Sequence, residues 1–132
     1  EGATALFEVK VKGAESVEAA KVLAKSIACS NLTKTAIAGH DANWGRIVCA
    51  MGYSGAQFDP EKVDLFFESK AGKIQIAEDG VALDFSEEKA TEILSQPEVT
   101  AIADVKMGDA EATAWGCDLT HGYIEINADY RS

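Results

Sequence analysis

The sequence has no Cys-x-x-Cys pair, no Pro/Gly/Ser-rich linker, no initiator methionine, and no run near the ~18 apolar residues that a membrane-spanning helix requires. Each absence excludes something. Without paired cysteines there is neither a disulfide framework nor a zinc knuckle, and Cys29, Cys49 and Cys117, far apart along the chain, are expected to be reduced, small core residues in a cytoplasmic or similarly reducing compartment. Without a linker or internal repeat, residues 1–132 are expected to form a single domain, near the modal domain size. Glu1-Gly2-Ala3-Thr4 has neither the basic lead nor the apolar core of a secretory signal, so no export address and no membrane partner is expected. The missing methionine is read as a processed chain or a piece of a longer protein.

Basic residues are also scarce, 12 against 22 acidic ones, for a net charge of −10 that would repel a phosphate backbone. Nucleic acid is therefore not an expected partner. The 47% hydrophobic and 26% charged content is ordinary for a globular protein.

What is present is a pattern of alternating strands and helical stripes. Leu6 to Lys12 alternates, with Phe7, Val9 and Val11 on one face, and Gly13 ends it. From Ser16 to about Cys29, Val17, Ala20, Leu23, Ala24, Ile27 and Ala28 recur at helical spacing. Asn43 caps a second predicted helix running through Met51. Short strands are predicted at Val63–Phe67, Lys73–Ile76 and Val81–Leu83, followed by a helix capped by Ser86 and stopped before Pro97. Thr100–Met107 and Ala110–Cys117 alternate on either side of Gly108-Asp109, which reads as a hairpin turn, and Tyr123–Ile126 as a last strand that delivers Asn127 shortly before Ser132. The expected class is α+β, a mixed β-sheet with packed helices.

Gly39-His40-Asp41-Ala42-Asn43-Trp44-Gly45-Arg46 is the octet richest in chemically capable side chains, and a helix starting there could hold an anion. The plainer reading has Asp41 and Asn43 capping, Trp44 filling the core and Arg46 in a structural ion pair. Cys29 to Thr35 reads as hydroxyl-rich turn chemistry at a helix end. Cys117 and His121 have a metal-like spacing but no second pair of ligands, and as a thiol hydrolase they lack an orienting partner, so no metal is assigned. Gly52-Tyr53-Ser54-Gly55 lacks the lysine and full glycine pattern of a phosphate loop.

Three segments together resemble the β-chain of ornithine acetyltransferase, also called glutamate N-acetyltransferase, of arginine biosynthesis. They are Glu1-Gly2-Ala3-Thr4; Lys34-Thr35-Ala36 leading into Gly39 through Ile47; and Cys117-Asp118-Leu119-Thr120 through Ile126-Asn127-Ala128-Asp129-Tyr130. The resemblance runs from the first residue to the last, and implies the C-terminal part of a self-processing, Thr-nucleophile acetyltransferase fold. It implies acetyl exchange from N-acetylornithine to glutamate through an acetyl-Thr intermediate, releasing ornithine, with no cofactor. Also implied are a cytoplasmic (or mitochondrial matrix) setting, an α-chain partner, an upstream β-chain segment and a dimer of such pairs. The family's nucleophile is a Thr upstream of the segment that Glu1 begins, so no catalytic residue is carried over, and Thr4 is rejected as nucleophile because its amine is not free. Carried over as substrate-binding are Glu1, Asn127 and Ser132. Ala5 stands where a Lys is common and Ala38 where an aromatic is frequent. The alternative expectation is a non-catalytic amino-acid-binding or assembly module with the same fold.

Overall fold

Alternation in the first strand organises the sheet. In the computed structural model, which describes residues 1–130, the elements in chain order are β1 (Leu6–Ala14), α1 (Val17–Ala28), α2 (Asn31–Ala38), α3 (Trp44–Gly52), a 3₁₀ turn (Pro60–Lys62), β2 (Asp64–Ser69), β3 (Gly72–Glu78), β4 (Val81–Ala82), α4 (Glu87–Leu94), β5 (Glu98–Asp104), β6 (Ala110–Cys117) and α5 (His121–Asp129). The strands form one mixed sheet in the order β4-β3-β2-β5-β1-β6, in which β1 runs parallel to β5 and antiparallel to β6. The α+β class and the mixed sheet expected from the sequence are those observed.

Register carries the hydrophobic pattern across the sheet. Phe7 lies opposite Val99, Val9 opposite Ala101, and Val11 opposite Ala103, while Leu65 and Phe67 of β2 face Ala103 and Ala101 from the other side. All of these are buried, beneath the stripe Ala20, Leu23, Ala24 and Ile27 of α1 and Ala90, Ile93 and Leu94 of α4. The opposite face of the sheet carries Glu8, Lys10, Thr100, Glu68 and Trp115, with no helix over it among the described residues. There the Trp115 indole donates to Glu8 Oε2 at 2.8 Å, and Lys73 stands 4.9 Å from the centre of the Phe66 ring.

Helix starts follow the side chains that can accept an orphan N–H. Asn43 accepts from Arg46 and Ser86 from Lys89, each near 3 Å, as the predicted caps require, and Ser16, not predicted as a cap, accepts from Ala19 in the same way. Val17, assigned to the inner stripe of α1, is instead exposed, because it occupies the first helical position, clear of the sheet.

Four readings from the sequence are corrected. First, α2 replaces the expected turn between Cys29 and Thr35: Ser30 accepts from the Thr33 amide at 3.2 Å, and Thr33, Ala36 and Ile37 form a buried stripe. Second, β5 and β6 do not form a hairpin, since β1 lies between them. β1 does not stop at Gly13 as the sequence suggests but runs on to Ala14 past an irregularity in its pairing with β6. Gly13, at φ +70, has a carbonyl that accepts from Met107 at 2.7 Å and Gly108 at 2.8 Å, so the connecting loop wraps the end of β1. A Cβ on Gly108 would sit 2.6 Å from Ala14 O, too close for any side chain. Third, Tyr123–Ile126 is helix α5 and not a strand. Fourth, the cysteines are free thiols but not core residues: Cys29 and Cys49 are exposed and Cys117 is half-buried. Each sits where a helix turn or edge strand faces away from the sheet's packed side.

At one end of the sheet Lys106, itself at φ +54, bonds Asp64 at 2.9 Å and Asp79 at 2.8 Å. The bonds to Asp79 and then Asp64 raise its proton affinity above the ordinary lysine value. The folded value being the higher, this contribution is fully present through neutral pH and is lost as pH rises past the lysine range, and salt screens it.

Truncating the core is expected to separate sharply from truncating the surface. Phe7→Ala should lower the unfolding free energy by about 3–5 kcal/mol, whereas Leu32→Ala, at a position 61% exposed, should change it by less than about 0.5 kcal/mol. Urea denaturation of the two variants checks this, and comparable losses would contradict the assignment of the core.

Candidate functional site

A carboxylate that is 1% exposed must find donors inside the protein, and Asp118 finds them all on one short segment. Its Oδ1 accepts from the amides of Thr4 at 2.7 Å and Ala5 at 3.1 Å, and its Oδ2 from the Thr4 hydroxyl. In return the Asp118 amide donates to Ala5 O at 3.2 Å. Two residues on, the Thr120 hydroxyl donates to Gly2 O and accepts from the Tyr123 amide at 3.1 Å, so one side chain both holds the N-terminal segment and caps α5. Gly2, at φ +88, lies so close that a Cβ there would be 2.4 Å from Tyr123 N. No other residue fits without moving α5.

The middle segment joins the same corner. Leu119 N donates to Lys34 O at 3.2 Å, tying α2 to the end of β6. Gly39 ends α2, His40 follows at φ +56, and Asp41 N returns to Ala36 O at 2.9 Å. Asn43 then caps α3 while its Nδ2 donates to Asp41 Oδ2 at 3.1 Å, as the plainer reading of this octet expects. Arg46 departs from it: its guanidinium makes no ion pair among the described residues and donates instead to Leu32 O at 3.0 Å and Thr35 Oγ1 at 3.4 Å. Trp44 is half-buried against the core.

Between these three segments is a cavity of about 520 Å³ lined by Thr4, Thr35, Ala38, Thr120, His121 and Ile124, among others. Its lining is mainly apolar, the Thr4, Thr35 and Thr120 hydroxyls already donate to Asp118, Leu32 O and Gly2 O, and His121 brings one imidazole to it. The Thr4 hydroxyl is committed to Asp118 and its nitrogen is an amide, so neither is available as a nucleophile or base.

Over its whole length, residues 1–132, the sequence matches the ArgJ family. The chain belongs to the ArgJ family. The protein named arginine biosynthesis bifunctional protein ArgJ from Thermotoga neapolitana is 55% identical over all of this chain and 33% of its own length. The ArgJ 1 protein of Clostridium acetobutylicum is 52% identical over all of this chain and 32% of its own. A crystal structure of ArgJ from Bacillus halodurans superposes with a TM-score of 0.91 at 44% identity, covering 98% of this chain and 60% of that one. The chain thus spans about a third of the length of the curated relatives it matches. The resemblance drawn from the three segments is to this family, and its fold is the fold of the ArgJ neighbour.

Of the ArgJ-family residues carried over, Glu1 is exposed and directly precedes Gly2, which touches Gly122 and Tyr123 of α5. Asn127 is also exposed, one turn beyond Tyr123, about 6 Å along the helix axis. Its Nδ2 donates to Tyr123 O at 2.8 Å. Both residues therefore belong to the α5 corner, although neither lines the cavity. Ser132 lies outside the described residues. The sequence reading gave no role to Asp118, the residue that joins the two end segments. Its signal was a lone carboxylate just past an apolar strand, since Asp is almost never fully buried without partners.

Asp118→Asn keeps the shape but removes the charge that three donors address, and is expected to cost about 2–3 kcal/mol. Thr4→Val, which removes one donor, should cost less. Chemical denaturation with amide exchange at Thr4 and Ala5 reads both effects, and a loss under about 0.5 kcal/mol for Asp118→Asn would refute its anchoring role.

Proposed function

We propose that this chain forms part of an acetyltransferase of arginine biosynthesis that moves acetyl from N-acetylornithine to glutamate through an acetyl-Thr intermediate. In this reading the chain supplies substrate-binding groups and the nucleophilic Thr belongs to a separate segment. The observation that carries it is the joint of Gly2–Ala5 to Asp118–Thr120, which unites the family's end segments at one corner and holds Glu1 near the helix that bears Asn127.

The chemistry asks little of this chain beyond binding and orientation. A Thr hydroxyl, with its own terminal amine as base, attacks the acetamide carbon, and the proton it loses goes to the departing amine of ornithine. Glutamate's amine then attacks the resulting ester and restores the hydroxyl. Glu1 can pair with a substrate ammonium by a charge-assisted bond, and the Asn127 amide can orient a carboxylate or the acetyl carbonyl, with Ser132 as a further hydroxyl. The exposed Glu1 carboxylate, unpaired among the described residues, supports that role.

The partners proposed are an α-chain and an upstream β-chain segment, in a dimer of such pairs. Support comes from the apolar surface left open: Trp115 is 63% exposed on the uncovered sheet face, and Ile124 and Tyr130 are 56% and 71% exposed on and beside α5, a helix with no buried residue. The alternative is a non-catalytic amino-acid-binding or assembly module. Calorimetry with ornithine, glutamate and their acetyl derivatives tests binding, and the intact mass of the purified polypeptide shows whether a Thr-initiated segment accompanies it.

Mixed with N-acetylornithine and glutamate, the 132-residue chain alone should give no turnover. In the complete enzyme Glu1→Gln should raise KM for the amino-acid substrate about 10- to 100-fold, as loss of a charge-assisted bond of ~1.5–3 kcal/mol implies, with the unfolding midpoint unchanged. Unaltered steady-state constants would remove Glu1 from the site.

A further inference from the structure

Two of the three thiols face one cavity that the acetyl-transfer reading does not use. Helices α1 and α3 lie side by side, fastened where the Ser26 hydroxyl donates to Ala50 O at 2.7 Å. Cys29 follows Ser26 by three positions at the C-cap of α1, and Cys49 immediately precedes Ala50 on α3. Both are exposed, and both line a cavity of about 600 Å³ between the α1–α2 joint and α3, together with Arg46. We propose that Cys29 and Cys49 form a dithiol that closes to an intramolecular disulfide by exchange with a small anionic disulfide.

Two displacements complete the exchange. One cysteine thiolate attacks a sulfur of the small disulfide, whose S–S bond breaks, releasing one thiolate that takes up a proton and leaving a mixed disulfide on the protein. The second cysteine thiolate attacks the protein sulfur of that mixed disulfide, expelling the second small thiolate. The protein loses two hydrogens and gains one S–S bond, and the small disulfide accepts the two electrons and becomes two thiols. The guanidinium of Arg46 on the cavity wall favours a reagent bearing carboxylates. A disulfide needs Cα atoms about 4.4–6.8 Å apart, so closure requires the α1–α2 joint that carries Cys29, whose amide bonds Lys25 O at 2.9 Å, to draw to that distance from Cys49 of α3.

Closure would act on the candidate site through α2. It would tie the start of α2 to α3, and Arg46 of α3 already bonds Leu32 O and Thr35 Oγ1, while Thr35 lines the cavity beside Thr4 and Thr120. The thiol chemistry itself does not rest on the proposed acetyl transfer, so either can fail without the other.

The competitor is Cys117, because Gly116 packs against Ala28, a Cβ there being 3.3 Å from Ala28 O. The test is incubation of the reduced, folded full chain with oxidised glutathione, read by intact mass and peptide mapping. The expected product is lighter by two hydrogen atoms, with the Cys29 and Cys49 peptides joined. Cys29→Ser and Cys49→Ser should each stop at a mixed disulfide with glutathione, and Cys117→Ser should still close. A neutral reagent, 2-hydroxyethyl disulfide, should react more slowly than oxidised glutathione at matched concentration. Stable glutathione adducts on both Cys29 and Cys49 of the unsubstituted chain, a crosslink through Cys117, or no reaction at either thiol would overturn the proposal, and equal rates with the neutral reagent would overturn the role given to Arg46.

Discussion

A buried carboxylate cannot stay charged without donors, and the donors that satisfy Asp118 come from residues 114 and 113 positions away, Thr4 and Ala5. That requirement holds the molecule's active-looking corner together. The bonds arrive in antiparallel fashion just beyond the β1–β6 ladder, whose last pair is Leu6 with Cys117, so the carboxylate extends the sheet where regular pairing stops. Thr120 then repeats the arrangement one step further, holding Gly2 and starting α5 with the same hydroxyl. The order of events along the chain is thus strand, carboxylate, cap, helix, and each depends on the one before.

The consequence reaches the groups proposed to bind substrate. Glu1 is exposed, and its position is inherited from Gly2, which is pressed against the backbone of Gly122 and Tyr123. Asn127 inherits its position from α5, a helix with no buried side chain that is held mainly by its first turn. Functional groups on weakly packed elements rely on such anchors, because a displacement of about 1 Å at a site is enough to lose most of its benefit. The α2–α3 turn supplies the facing wall through the link from Leu119 to Lys34, and Arg46 stiffens that wall by bonding α2 from α3.

The comparison between pattern and structure is uneven for identifiable reasons. Phe7-Val9-Val11 was legible because alternation and burial coincide on a strand with a neighbour on each side. The caps at Asn43 and Ser86 were legible because capping is local chemistry. Gly108-Asp109 misled because a turn motif records a reversal of direction and says nothing of what lies between the strands, here β1. Tyr123–Ile126 misled because alternation over four residues fits a strand, while the cap that makes it a helix, Thr120, is itself oriented by a carbonyl at the far end of the chain.

By itself, the sequence determined the α+β class, the inner face of β1, the stripes of α1 and α4, and the family through its three segments, since these depend on periodicity, local hydrogen bonding and residue identity. Tertiary structure alone decided that β1 separates β5 from β6, that Cys29 and Cys49 face one cavity, and that Asp118 and Thr120 join the two end segments. The physical reason is separation along the chain: a bond between positions 4 and 118 leaves no periodic trace in either segment. Such a bond forms only once the sheet has brought the two segments within 3 Å of each other.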